Sequence, residues 1–184
     1  MSDQSDQHWQ TRDRFLSLHS RWMTLIAEHL QDHQGQILEY WRVEKADSAI
    51  VLPIQGDRIL LPAASYRPGI GQVTLDFPGG RVAEGEDLAV GAIAILKREL
   101  GIEVASVTRL VCLNPGGWPV NSSFSNQKLY GWIAYIDETT SPSELVAATY
   151  PTNSTGIQDL LQHLICLQCR TVLLEWWFRS ANSH

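Results

Sequence analysis

An α/β fold is predicted by two observations. Short runs of β-favouring residues recur along most of the chain between turn signals, and two stretches, about 87–100 and 157–178, read as helices. The 184 residues, 44% hydrophobic, can bury one substantial core, and that length favours one domain over two. The expected organisation is a polar segment or short helix over residues 1–20, then a single domain over 21–184.

Residues 21–29 and 36–43 alternate and are rich in aromatic and β-favouring types, with Asp32, His33, Gln34 and Gly35 as the turn between them. They predict an N-terminal antiparallel hairpin. A second pair follows over 48–54 and 58–63, joined by a turn at Gly56 and Asp57. After the helix at 87–100 come strand candidates at 107–113 and 128–136, separated by a loop that opens Asn114, Pro115, Gly116, Gly117, Trp118. The helix at 157–178 closes the chain.

Charge and composition exclude several classes. A net charge of −6 with no basic stripe argues against a nucleic-acid backbone as the partner, because phosphate binding needs clustered Lys and Arg. Residues 1–10 lack the positive start and apolar core of a secretory signal. The longest apolar-rich run, 160–169, is too short to span a bilayer and is interrupted by Gln162, His163 and Gln168. Three cysteines, an odd number, suggest reduced thiols and a cytoplasmic location.

The most informative stretch is residues 75–102, LDFPGGRVAEGEDLAVGAIAILKRELGI. It resembles the Nudix box, the signature of a superfamily of diphosphate hydrolases. Gly80, Glu86, Leu96, Glu99, Gly101 and Ile102 fall on its anchor positions without a gap. The lead-in Asp76, Phe77, Pro78, Gly79, Gly80, Arg81 is similar to that of the ADP-ribose pyrophosphatase branch, and so is the upstream element Ser65, Tyr66, Arg67, Pro68, Gly69. A shifted register through Arg98, Glu99, Leu100 and Glu103 is disfavoured, since the helix would have to run through Gly101 and Gly80 and Glu86 would leave the alignment.

The resemblance implies a mixed sheet sandwiched between helices and hydrolysis of a nucleoside diphosphate linked to another moiety, of the ADP-ribose or nucleotide-sugar type. It also implies Mg²⁺ or Mn²⁺ held by Glu99, Glu86 and Glu84, with Glu99 and Glu86 as the catalytic carboxylates, and a homodimer. Substrate contacts carried over by the same resemblance are Tyr66, Arg67, Gly79, Gly80, Arg81 and Trp41, with Arg98 added from its own position in the box.

Three departures fall where the chemistry belongs: Ala94 and Ile95 replace the box Arg-Glu, and Arg98 replaces the first Glu of the later pair. Positions 95, 98 and 99 share one helical face. Where three carboxylates would bind a hard dication through oxygen, this face reads Ile, Arg, Glu. The region 114–128 contains no Asp or Glu to act as a further base, and Gln127, the nearest isostere, cannot take a proton. A second reading therefore stands beside hydrolysis: a binding module that neutralises the same diphosphate with Arg67, Arg81 and Arg98 and does not cleave it.

Tyr40 and Trp41 read either as sheet packing or as a stacking surface for a base. His163, Cys166 and Cys169, with Cys112 as a distant fourth, read either as zinc ligands or as small residues on a buried helix. Trp176, Trp177 and Phe178 crowd the end of that helix and pack on the core or a partner.

Overall fold

The computed structural model describes residues 8–83, 85–141 and 143–181. In chain order its elements are β1 (Gln10–His19), β2 (Thr24–Gln31), β3 (Ile37–Glu44), β4 (Ser48–Gln55), β5 (Arg58–Leu61), β6 (Ser65–Arg67), β7 (Gln72–Thr74) and β8 (Gly79–Arg81), then α1 (Leu88–Leu100). They continue with β9 (Val107–Cys112), β10 (Trp118–Pro119), β11 (Lys128–Ile136), β12 (Ala148–Pro151), α2 (Ser154–His163) and α3 (Leu167–Ala181). The chain divides into two compact units, Met1–Ala46 with Pro119–Gln127, and Asp47–Trp118 with Lys128–His184.

The first unit is an antiparallel sheet in the order β1-β2-β3. The predicted hairpin is β2 and β3, paired from Thr24 opposite Glu44 to Gln31 opposite Ile37. Residues 10–19, expected as a polar segment or short helix, instead form β1, paired with β2 from end to end. Their charged residues mask an edge strand whose inward-facing backbone groups pair with β2, with side chains exposed almost throughout. Glu28 on β2 is 2% exposed and accepts from Arg42 Nε at 2.6 Å, with Arg14 Nε 3.5 Å away. The Arg42 hydrogen bond holds its carboxyl below the usual range against the opposing pull of burial.

The second unit is built on a mixed sheet with the path β10-β11-β4-β5-β12, where β8 adds to β4 and β9 to β11. β4 runs parallel to β11 along its whole length and is buried from Ala49 to Ile54, as a strand covered on both faces must be. On one face Ala49, Val51, Trp132, Ala134 and Ile136 pack against Ala92, Ile95, Leu96 and Leu100 of α1. Helix α3 packs on the same two strands through residues such as Val172, which lies against Gly131. Pro53 interrupts neither ladder, because β8 pairs with residues 48–50 and β5 with 54–55, leaving position 53 between them.

Helix α1 is bounded by its own sequence. Asp87 caps its start by accepting from the Ala89 and Val90 amides, and Gly101 closes it at φ 65° with its N–H on Lys97 O. The helix stops at Gly101 and does not run on to Glu103, as the shifted register would need. The single helix expected over 157–178 is two helices. Leu164 is extended and fully buried, and the Arg170 guanidinium satisfies the carbonyls of Leu161 and Leu164 at 2.6 and 3.0 Å, so the chain turns there and restarts at Leu167. Of the aromatic trio, Trp176 is buried and Phe178 is 62% exposed, which divides it between core and surface. Among the described residues, no helix is long and apolar enough to cross a membrane.

Candidate functional site

The site is built around the segment 76–80, which enters β8. Gly80 faces Ala49 and Gly79 faces Ile50 in the antiparallel ladder with β4. A Cβ on Gly80 would stand 2.9 Å from Arg98 Nη2 and 3.4 Å from Ile95 Cγ1. Gly80 thus makes room for α1 itself, and above all for the guanidinium of Arg98, whereas a Cβ on Gly79 would press on β4 at Ala49 O and Ile50 Cγ1.

Arg98 Nη2 donates to Gly79 O at 2.9 Å and to Glu99 Oε1 at 2.6 Å. The other carboxylate oxygen, Glu99 Oε2, accepts the Gly79 N–H at 3.2 Å. Both polar groups of Gly79 are therefore held by neighbouring side chains of α1. Ile95, at the first of the three box positions, is 2% exposed and lies in the core cluster, while Ala94 is exposed. Position 95 is thus core packing, and position 98 is a cation bonded to Glu99.

A resident divalent cation needs carboxylate oxygens converging on one point. Here one carboxylate remains on that face, and a guanidinium already neutralises it at hydrogen-bond distance. Glu86, the other predicted carboxylate, is exposed and accepts from Ala83 N at 3.1 Å, closing the loop before the helix. It is Asp87 and not Glu86 that caps α1. Glu84 lies outside the described residues. Among the described residues, the box face does not offer the converging carboxylates that a resident Mg²⁺ or Mn²⁺ needs.

Arg67, on the β6–β7 hairpin, donates from Nε to Asp76 Oδ2 at 2.6 Å, and Thr74 Oγ1 donates to the same oxygen at 2.8 Å. The Arg67 side chain is 49% exposed, so its remaining donors can reach a ligand. Tyr66 beside it is 60% exposed, and Arg81 is exposed at the end of β8. The residue at this candidate site that sequence reasoning passed over is Asp76. It was visible only as part of the lead-in, yet it is 9% exposed and organises Arg67, Thr74 and, through Oδ1 at 3.9 Å, Cys169 Sγ.

Two further candidates belong to the first unit. Trp41 donates from Nε1 to Glu39 at 2.7 Å and packs edge-on to Phe15 at 6.0 Å between centroids. Tyr40 donates its hydroxyl to Ser123 O and meets Trp9 edge-on at 6.2 Å. Both engage their own sheet and loop. Gln127 is 7% exposed and donates to Ala46 O at 3.0 Å, which makes it a brace between backbone segments. His163 bonds Asp159 O at 3.0 Å and stands 6.2 Å from the Tyr150 ring, apart from the Asp76, Cys166 and Cys169 group, whose ligand atoms lie within 4.8 Å of one another.

With this geometry in view, the comparisons with known proteins carry the class. No family model matches the chain. A solved structure described as an ADP compounds hydrolase superposes with a TM-score of 0.76 over 96% of each chain at 18% identity, a likeness of fold. Together with the helix-flanked mixed sheet, it gives the chain the Nudix fold. In sequence, the chain is 30% identical over 79 residues to an ADP-sugar pyrophosphatase of Mus musculus. That match covers 40% of this chain and 36% of the mouse protein.

Proposed function

We propose that this protein binds a nucleoside diphosphate linked to a second moiety, of the ADP-ribose or ADP-sugar class, and holds its diphosphate with guanidinium groups in place of a metal ion. The observation that carries the reading is the Arg98–Glu99 pair on Gly79: a cation stands at a box position that metal-assisted chemistry needs as an anion. Arg98 is 56% exposed, and Arg67 and Arg81 offer further forked donors suited to phosphate oxygens. The names of the similar proteins, an ADP compounds hydrolase and an ADP-sugar pyrophosphatase, support the ligand class.

Those names also favour a second reading, turnover, in which Glu99 and Glu86 serve as the carboxylates. Calorimetric titration with ADP-ribose, in chelator and in Mg²⁺, separates the two when run beside a turnover assay. Binding of similar strength in both buffers without turnover is expected, weakened at least about tenfold by Arg98→Ala, which removes charge-assisted bonds. Mg²⁺-dependent turnover abolished by Glu99→Gln would establish the second reading. The absence of both signals would remove the ADP-linked ligand class.

The same reading includes a homodimer working in the cytoplasm. The first unit exposes Phe15, Leu18, Trp22, Met23, Ile37 and Trp41, more apolar surface than one small sheet ordinarily leaves to water. Sedimentation equilibrium is expected to give twice the chain mass, and Leu18→Glu to lower it.

A further inference from the structure

We propose that Cys166 and Cys169 form a redox dithiol, in which Cys166 attacks an incoming disulfide and Cys169 resolves the adduct. The break between α2 and α3 creates the site. Arg170 N–H bonds Cys166 O at 3.0 Å, the first turn of α3, so Cys166 occupies the N-cap and Cys169 the first turn, in the spacing Cys166, Leu167, Gln168, Cys169. Among the described residues, the two sulfurs and a carboxylate oxygen of Asp76 lie within 4.8 Å of one another.

The two thiols are made unequal by position. Cys169 is 2% exposed, whereas Cys166 is half-buried between Ile165 and Leu167, whose side chains are 51% and 75% exposed. A partner disulfide can reach only Cys166, across an apolar lip. The Cys166 thiol is lowered to about 6, first by the hydrogen bond from Cys169 and then by the Cys169 and Gln168 amides, against burial and the Asp76 charge. The Cys169 thiol is raised well above its ordinary value, first because it donates to Cys166 and then by burial. One group is therefore a ready nucleophile and the other keeps its proton until needed.

The exchange balances with a small-molecule or protein disulfide as oxidant. The Cys166 thiolate attacks one sulfur, forming a mixed disulfide and releasing the other as a thiolate. Asp76 Oδ1, which accepts from Cys169 Sγ at 3.9 Å, stands to take the Cys169 proton. The Cys169 thiolate then attacks Cys166 Sγ, closing the internal disulfide and expelling the second thiolate. Two protein thiols are oxidised, and one disulfide is reduced to two thiols. Transient disulfides of this kind are the ones a reducing compartment supports.

The test is equilibration of the full chain with mixtures of oxidised and reduced glutathione, followed by alkylation and peptide mapping. A reversible Cys166–Cys169 bridge is expected, with Cys112 still alkylated, and Cys166 reacting at least about tenfold faster than Cys112 at neutral pH. Cys169→Ser is expected to trap glutathione on Cys166, and Cys166→Ser to leave Cys169 unmodified. The wild-type map decides the matter even where a variant fails to fold. No internal bridge at any ratio would overturn the proposal. So would one equivalent of Zn²⁺, added alone, that both sulfurs bind and that blocks oxidation.

Discussion

Two helices fasten the segment 76–80, and they do so in opposite chemical styles. Helix α1 reaches Gly79 through a guanidinium and a carboxylate that neutralise each other, Arg98 and Glu99, 2.6 Å apart. Helix α3 brings the buried thiol of Cys169 to Asp76, where one carboxylate oxygen is committed to Arg67 and Thr74 and the other faces sulfur. At the first corner the charge that would draw a metal is cancelled within the protein. At the second, polar groups are left poised. One short segment can thus carry a neutralised ion pair at one end and unneutralised polar groups at the other.

The sharpest way to break the contrast is to put the missing carboxylate back. Ile95→Glu buries an unpaired charge in the core cluster and is expected to cost at least about 3 kcal/mol in urea unfolding. A stable Ile95→Glu variant would mean that position 95 faces a ligand site and not the core. Next in size is the pH response of Cys166. With its thiol at about 6, its alkylation rate is expected to rise about tenfold from pH 5 to pH 7, following the thiolate fraction, and to level off above. The groups around it are Cys169 and Asp76, the latter paired with Arg67, while Arg170 is occupied by the carbonyls of Leu161 and Leu164. Cys169→Ala removes the leading cause of the depression, so the curve should move to higher pH.

Gly80→Ala presses a methyl against Arg98 and should cost about 1 kcal/mol through its bond to Gly79 O, with thermal unfolding as the readout. The smallest effect belongs to Lys97→Ala. Its ion pair with Glu103 is exposed on both sides, and less than about 0.5 kcal/mol is expected.

What could be read from the sequence follows from how local each signal is. The box helix is set by residues within it or next to it, Asp87 at one end and Gly101 at the other, and its apolar face repeats at helical spacing. The hairpin β2–β3 likewise lies within one short span. Strand β1 escaped because its charged residues hide the alternation and its stability comes from pairing rather than burial. The break between α2 and α3 escaped because Leu160, Leu161, Leu164 and Leu167 keep a helical rhythm across it, while the turn depends on Arg170 reaching back to two carbonyls. At the candidate site, the departures at 95 and 98 were plain from spacing. Their consequence was not: Gly80, expected as a substrate contact, lies directly against Arg98. Asp76 was beyond reach, since Cys169 meets it across 93 positions.

In the proposed reading, the Arg98 guanidinium takes the place of a metal ion at the box. Titration of the ligand-free protein with Mn²⁺, followed by electron paramagnetic resonance, tests it without reference to any substrate. No stoichiometric site is expected in the wild-type chain. One bound Mn²⁺ per chain, lost in Glu99→Gln, would contradict it.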